Sequence, residues 1–161
     1  MEKTHHYTTN LHWIGNKGEG TANYRAFGRD HILSVAGKPD LPGSSDPSFR
    51  GNPARYNPEE LLVASLSSCH MLWYLHLCSV NDIVVVDYQD KAEGIMMEKE
   101  DGSGYFKEVT LRPVITITNP ARIGRARELH HEANKFCFIA SSVNFPVKHE
   151  PEFKIAASPV R

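Results

Sequence analysis

The run Asn57-Pro58-Glu59-Glu60-Leu61-Leu62-Val63-Ala64-Ser65-Leu66 constrains the fold more than any other stretch of the chain. Asn57 is a strong N-cap and Pro58 suits the first helical position. Glu60 stands where a capping-box carboxylate reaches back to the N–H of the cap. A helix should therefore start here, run to about Val80 and end near Asn81. It is apolar on most sides, which predicts a buried central helix. Its length would suit a membrane span, but Ser65, Ser67, Ser68, His70, His76 and Ser79 make it too polar for one.

The flanking segments read mainly as strands. Tyr7 to Trp13 alternates loosely, and Thr21 to Val35 reads as a strand or bent hairpin with a kink at Gly28. Lys38 to Tyr56 carries four prolines and is expected to be a long loop of functional weight. Ile83 to Tyr88 is β-branched. Lys91 to Met97 and Tyr105 to Thr118 form strands about the turn Asp101-Gly102-Ser103-Gly104. Asn119 and Pro120 open a second helix through about Phe136, and Val147 to Ile155 is expected as a closing edge strand, with Pro151 suited to an edge. The fold class is α+β, and residues 1–161 are expected to form one domain.

Charge narrows the function classes. Eighteen Lys and Arg stand against 19 Asp and Glu, for a formal net charge of -1, with no basic cluster. That pattern argues against a nucleic-acid groove. Met1 to Asn10 lacks the apolar core of a signal peptide, and three cysteines do not make a disulfide framework. The expected compartment is the reducing cytoplasm.

The three thiols separate by helix geometry. Cys69 and Cys78 are nine residues apart, roughly 900° of rotation and about 13 Å of rise, so an intact helix keeps them from bridging. Cys78 reads as a core residue. Cys69 reads the same way by itself, but Cys137 lies near the end of the second helix, and two helix cysteines distant in sequence can meet in space. A reactive thiol must ionise near neutral pH, which takes a cation or a helix N-terminus. Cys69 is about twelve residues past the cap, beyond the reach of the helix dipole. The candidate cations are Arg25, Arg29, Arg50 and Arg55. Glu59 stands about 15 Å from Cys69 along the helix, so its role in any thiol site is to orient an arginine or to act on a second subunit.

With these residues in view, the chain resembles the family of osmotically induced and organic-hydroperoxide-resistance proteins, the OsmC/Ohr family. The likeness rests on Asn57-Pro58-Glu59-Glu60-Leu61-Leu62, on Cys69 ten residues after Glu59, on Cys137 near the end of the later helix, and on the order of elements. The resemblance implies an OsmC-like fold of antiparallel sheets about a long buried central helix, in an intertwined homodimer with two sites at its interface. It also implies thiol-based reduction of hydroperoxides, preferentially organic ones, with no metal, flavin or haem and with a dithiol reductant such as a lipoyl protein. By resemblance Cys69 is the peroxidatic cysteine, Cys137 the resolving one, and Glu59 the holder of the active-site arginine. Arg50 is favoured for that arginine, with Arg29 as the alternative. Phe49, Trp73, Phe136 and Phe138 would wall an apolar substrate pocket.

Two departures mark a subgroup: His70 replaces the usual aromatic after the first cysteine, and Cys137 lies in Phe136-Cys137-Phe138 rather than before a proline. Two other readings stay open. One is a metal site built from Cys69, His70, His76, His130, His131 and Cys137, although no CxxC or HExxH spacing is present. The other is a small-molecule-binding member of the same fold without turnover.

Overall fold

The computed structural model describes residues 1–157, and these fall into two compact units, one from Met1 to Leu61 and one beginning at Leu62. In the first unit, β1 (Asn10–Trp13), β2 (His31–Ser34) and β3 (Leu41–Gly43) form an antiparallel sheet in that order. The expected strand from Thr21 to Val35 is thus only its last few residues. Upstream, Asn23 draws the chain into a turn, its carbonyl accepting from Ala26 N–H and its side chain from Arg25 N–H. Trp13 Nε1 donates to the Gly28 carbonyl at 2.8 Å, and that carbonyl lies so near Gly15 that a Cβ there would sit 2.0 Å from it. The expected loop at 38–56 is more ordered than its prolines suggest. It holds β3 and a 3-10 turn, Pro47–Phe49, capped by Asp46.

The long helix α1 spans Pro58–Val80. Its capping box forms as the sequence requires: Asn57 Oδ1 accepts from Glu60 N–H at 2.8 Å, and the Glu60 carboxylate accepts from Asn57 N–H at 3.1 Å. At its far end Asp82 adopts a left-handed φ of 55°, and Ile83 N–H reaches back to the Cys78 carbonyl at 2.9 Å while Asp82 N–H reaches Ser79. This is a Schellman closure, and it delays the next strand by two residues.

In the second unit three strand pairs bend from one sheet into another. The strands β4 (Val85–Asp90), β7 (Pro113–Ile117) and β9 (Glu152–Ile155) make one sheet in the order β4-β7-β9. The other is β5-β6-β8, from β5 (Glu93–Glu98), β6 (Gly104–Leu111) and β8 (Val147–His149). Two expected single strands are therefore each divided. Tyr105 to Thr118 breaks at Arg112, because Pro113 has no N–H and Arg112 N–H is taken by Asp90 Oδ1 at 2.7 Å. Val147 to Ile155 breaks at Pro151, and its halves pair parallel with β6 and β7 as edges of different sheets. The other pairings are antiparallel.

Helix α2 (Ile123–Phe136) follows a 3-10 turn at Pro120–Arg122 and runs antiparallel to α1. Arg125 donates to Asn81 Oδ1 near one end of the pair, Tyr74 hydroxyl donates to the Ala126 carbonyl, and Trp73 stacks on Phe136 near the other. The helices and the β4-β7-β9 sheet enclose Tyr74, Leu77, Cys78, Ile115, Ile117 and Leu129. A smaller cluster of Leu66, Val109 and Leu111 lies toward the β5-β6-β8 sheet, where Gly94 admits Val63. Helix α1 is less enclosed in the single chain than its composition suggests. Five of its 23 residues are buried, Leu66, His70, Tyr74, Leu77 and Cys78, all on one stripe, while Leu72 is 63% exposed.

Candidate active site

The stripe that turns Leu66, His70 and Tyr74 inward places Cys69 at its margin, half-buried. Cys137 follows the last residue of α2 as its C-cap, with N–H bonded to the Ala133 carbonyl at 2.9 Å and only 1% exposed. The two thiols are neighbours, close enough that Cys69 bears on the ionisation of Cys137. Burial first, and then the neighbouring Cys69 thiol, push the Cys137 thiol up to about 11, against the donation to its sulfur from Ala140 N–H at 3.4 Å. Cys137 therefore holds its proton at neutral pH, and all three cysteines are free thiols. Cys78 is buried two and a half turns further along α1 beside Tyr74, and burial raises its pKa too.

Aromatic rings gather beside the thiols. Trp73, one turn after Cys69, stacks on Phe136 at 5.2 Å and meets Phe138 edge-on at 5.8 Å, and these two phenylalanines flank Cys137. Leu72, Trp73, His76 and Phe138 line a shallow apolar cavity of about 280 Å³. Three of the four expected pocket residues are thus together. Phe49 lies in the 3-10 turn of the first unit.

The arginines of the first unit differ in how they are held. Arg29 folds back locally, donating to the Phe27 carbonyl at 2.5 Å and the Tyr24 carbonyl at 2.8 Å, with its guanidinium over both rings. Arg55 is paired with Asp30 at 3.2 Å. Arg50 is exposed at the end of the 3-10 turn with a left-handed φ of 64°, and its side chain makes no hydrogen bond or ion pair among the described residues. Glu59 Oε2 is buried and has no hydrogen-bond partner among those residues.

The histidines do something the sequence reading missed. His70 and His130 meet edge to edge across the helix pair, Nε2 to Nδ1 at 2.9 Å with ring planes 7° apart. Tyr74 stacks on His130 at 3.9 Å between centroids, and His149 from β8 lies 5.7 and 5.9 Å from the two. Burial lowers the pKa of His70 to about 4 and of His130 to about 2, with neighbouring histidines adding to the effect, so both are neutral. Among the described residues no group of three His, Cys, Asp or Glu side chains could hold a metal ion; His70 and His130 bond to each other instead. The available signal was spacing: His70 and Tyr74 share a face of α1, and His130 shares a face of α2 with Cys137.

A family model described as OsmC-like protein matches residues 51–152. The chain is similar to an OsmC-like protein of unknown function from Vibrio cholerae, with 28% identity, 92% of this chain and 99% of that one covered, and a TM-score of 0.82. It also shares its fold with an organic hydroperoxide resistance protein OsmC from Legionella pneumophila, at 17% identity, 95% and 99% coverage and a TM-score of 0.67. The uncharacterized protein YmaD of Bacillus subtilis is 20% identical over 154 residues, 94% of this chain and 95% of that protein.

Proposed function

The chain belongs to the OsmC-like family, and from that premise we propose that it is a thiol-dependent peroxidase that reduces organic hydroperoxides to alcohols. The observation that carries this reading is that a half-buried Cys69 on α1 and a fully buried Cys137 at the end of α2, sixty-eight residues apart in sequence, are neighbours. Cys69 as thiolate attacks the outer peroxide oxygen. The O–O bond breaks, the sulfur becomes a sulfenic acid, and the alkoxide takes a proton to leave as alcohol. The Cys137 sulfur then attacks Cys69 sulfur, a disulfide forms, and the sulfenic oxygen leaves as water with the Cys137 proton. A dithiol returns both sulfurs to thiols, and each step balances without metal, flavin or haem.

Arg50 is the cation assigned to the thiolate and to the developing alkoxide, where a preorganised charge in a partly dry site is most effective. Its side chain is unpaired among the described residues, and so is the buried oxygen of Glu59; a closed form that pairs the two satisfies both. The rings of Trp73, Phe136 and Phe138 favour an apolar peroxide. We assign the working form to a homodimer, because Leu72, Val80 and Phe138 are each more than 60% exposed in the single chain. A cytoplasmic location suits the free thiols.

The test is consumption of an organic hydroperoxide with a dithiol as reductant. Turnover is expected for the wild type and none for Cys69→Ser. Cys137→Ser should complete the first oxidation and then drift to sulfinic acid. Equal consumption by the wild type and Cys69→Ser would refute the proposal.

A further inference from the structure

Two rows of side chains cross from α1 to α2, and they share residues that are consecutive in sequence. Cys69 and Trp73 are one turn apart on α1 and meet Cys137 and Phe136. The neighbouring row, His70 and Tyr74, meets His130 and the Ala126 carbonyl. On α2, His130 and Cys137 are seven residues apart, two turns and so one face, separated by roughly 10 Å of rise. Whatever fixes His70 against His130 therefore also fixes Cys69 relative to Cys137.

The histidine pair is an unusual choice for a core. Both rings are at most 1% exposed, and an apolar pair would fill the space without burying polar atoms. Whichever ring carries the shared proton, the pair is left with one N–H and one bare nitrogen facing inward. The two atoms concerned, His70 Nδ1 and His130 Nε2, have no hydrogen-bond partner among the described residues. What the pair supplies is direction. Apolar side chains tolerate a small slide of one helix on the other, whereas a 2.9 Å bond between the edges of two nearly coplanar rings is made in one register only. Tyr74 holds that register from the next turn, its ring on His130 and its hydroxyl on α2 backbone at 3.0 Å.

We propose that His70 and His130 are positioning residues for the thiol pair, a polar tie that sets α1 against α2 so that Cys69 and Cys137 come within bonding reach of each other. The inference rests on the thiol-pair reading above and concerns how readily the disulfide closes, not which oxidant closes it. Neither ring touches the peroxide in this assignment.

The experiment measures the Cys69–Cys137 disulfide in the full chain against glutathione buffers, with no peroxide present. Two electrons and two protons pass from the protein thiols to glutathione disulfide, which becomes two glutathione thiols, so the equilibrium constant reports how well the protein presents the two sulfurs to each other. His130→Leu should lower that constant at least tenfold while circular dichroism stays native. His130→Asn, whose amide falls where Nδ1 lies, should stay within threefold of the wild type. His130→Gln, which carries the same amide one methylene further out, should fall with the leucine variant and serves if that variant does not fold. A folded His130→Leu or His130→Gln protein with the wild-type constant would overturn the positioning role and leave the peroxidase reading standing. A wild type that closes the disulfide but consumes no hydroperoxide would overturn the peroxidase reading alone, and one that never closes it would overturn both.

Discussion

Mild acid should strip stability from this protein through two buried imidazoles. His70 and His130 are neutral in the folded state because burial lowers their pKa values to about 4 and about 2, and an unfolded chain returns both to about 6.5. With folded values depressed, the stability is fully present above pH 6.5 and is lost as pH falls through the window below it. Between pH 6.5 and 4.5 the unfolded chain takes up protons that the folded one refuses, at about 1.4 kcal/mol per pH unit for each fully protonated group. The two histidines together should thus remove about 4 kcal/mol by pH 4.5, with His149 acting in the same direction.

The groups that face His130 reinforce the effect, since His70 on α1, His149 on β8 and Arg127 and His131 on α2 all oppose a new positive charge, while Tyr74 and Phe153 offer only aromatic rings. Against a typical total of roughly 5–15 kcal/mol, such a loss is severe. The carboxylates of Asp46, Asp101 and Glu108 are held below their ordinary values of 3.8 to 4.5, so they lose stability only at lower pH. Urea unfolding followed by tryptophan fluorescence at pH 7, 5.5 and 4.5 measures the slope. A free energy that stays flat across that window, or a His70→Gln/His130→Asn protein that falls as steeply as the wild type, would refute the reasoning.

Three further outcomes are expected. Asn57→Ala removes the cap of α1 and should cost about 1 kcal/mol, seen as a lower midpoint in a thermal melt. Arg50→Ala should slow alkylation of Cys69 near neutral pH, with little effect from Arg29→Ala, because Arg29 is already committed to Tyr24 and Phe27; the reverse order would move the assignment to Arg29. Light scattering at micromolar concentration should return a dimer mass, and a monomer would remove the interface part of the proposal.

The helix starting at Asn57 was legible to the residue, because its cap is a local affair of Asn57 and Glu60 and needs no tertiary partner. The strands were legible in kind but not in extent. Arg112 and Pro113 sit inside a β-branched run, and the bend between them depends on Asp90, 22 residues away. The long polar loop concealed β3, whose existence depends on pairing with β2 rather than on its own residues. At the candidate site Cys69 and Cys137 stood out by position, and the structure brings them together. The histidine pair did not stand out, because imidazoles are read as metal ligands or surface groups, and only the packing of α1 on α2 turns His70 and His130 toward each other.

In the proposed cycle Cys69 and Cys137 act as one redox pair while Cys78 stands apart. That pairing is tested most directly by peptide mapping after one equivalent of an organic hydroperoxide. A single intrachain disulfide between Cys69 and Cys137 is expected, with Cys78 recovered as a free thiol. A bridge that includes Cys78, or three free thiols after the peroxide is added, would contradict the pairing.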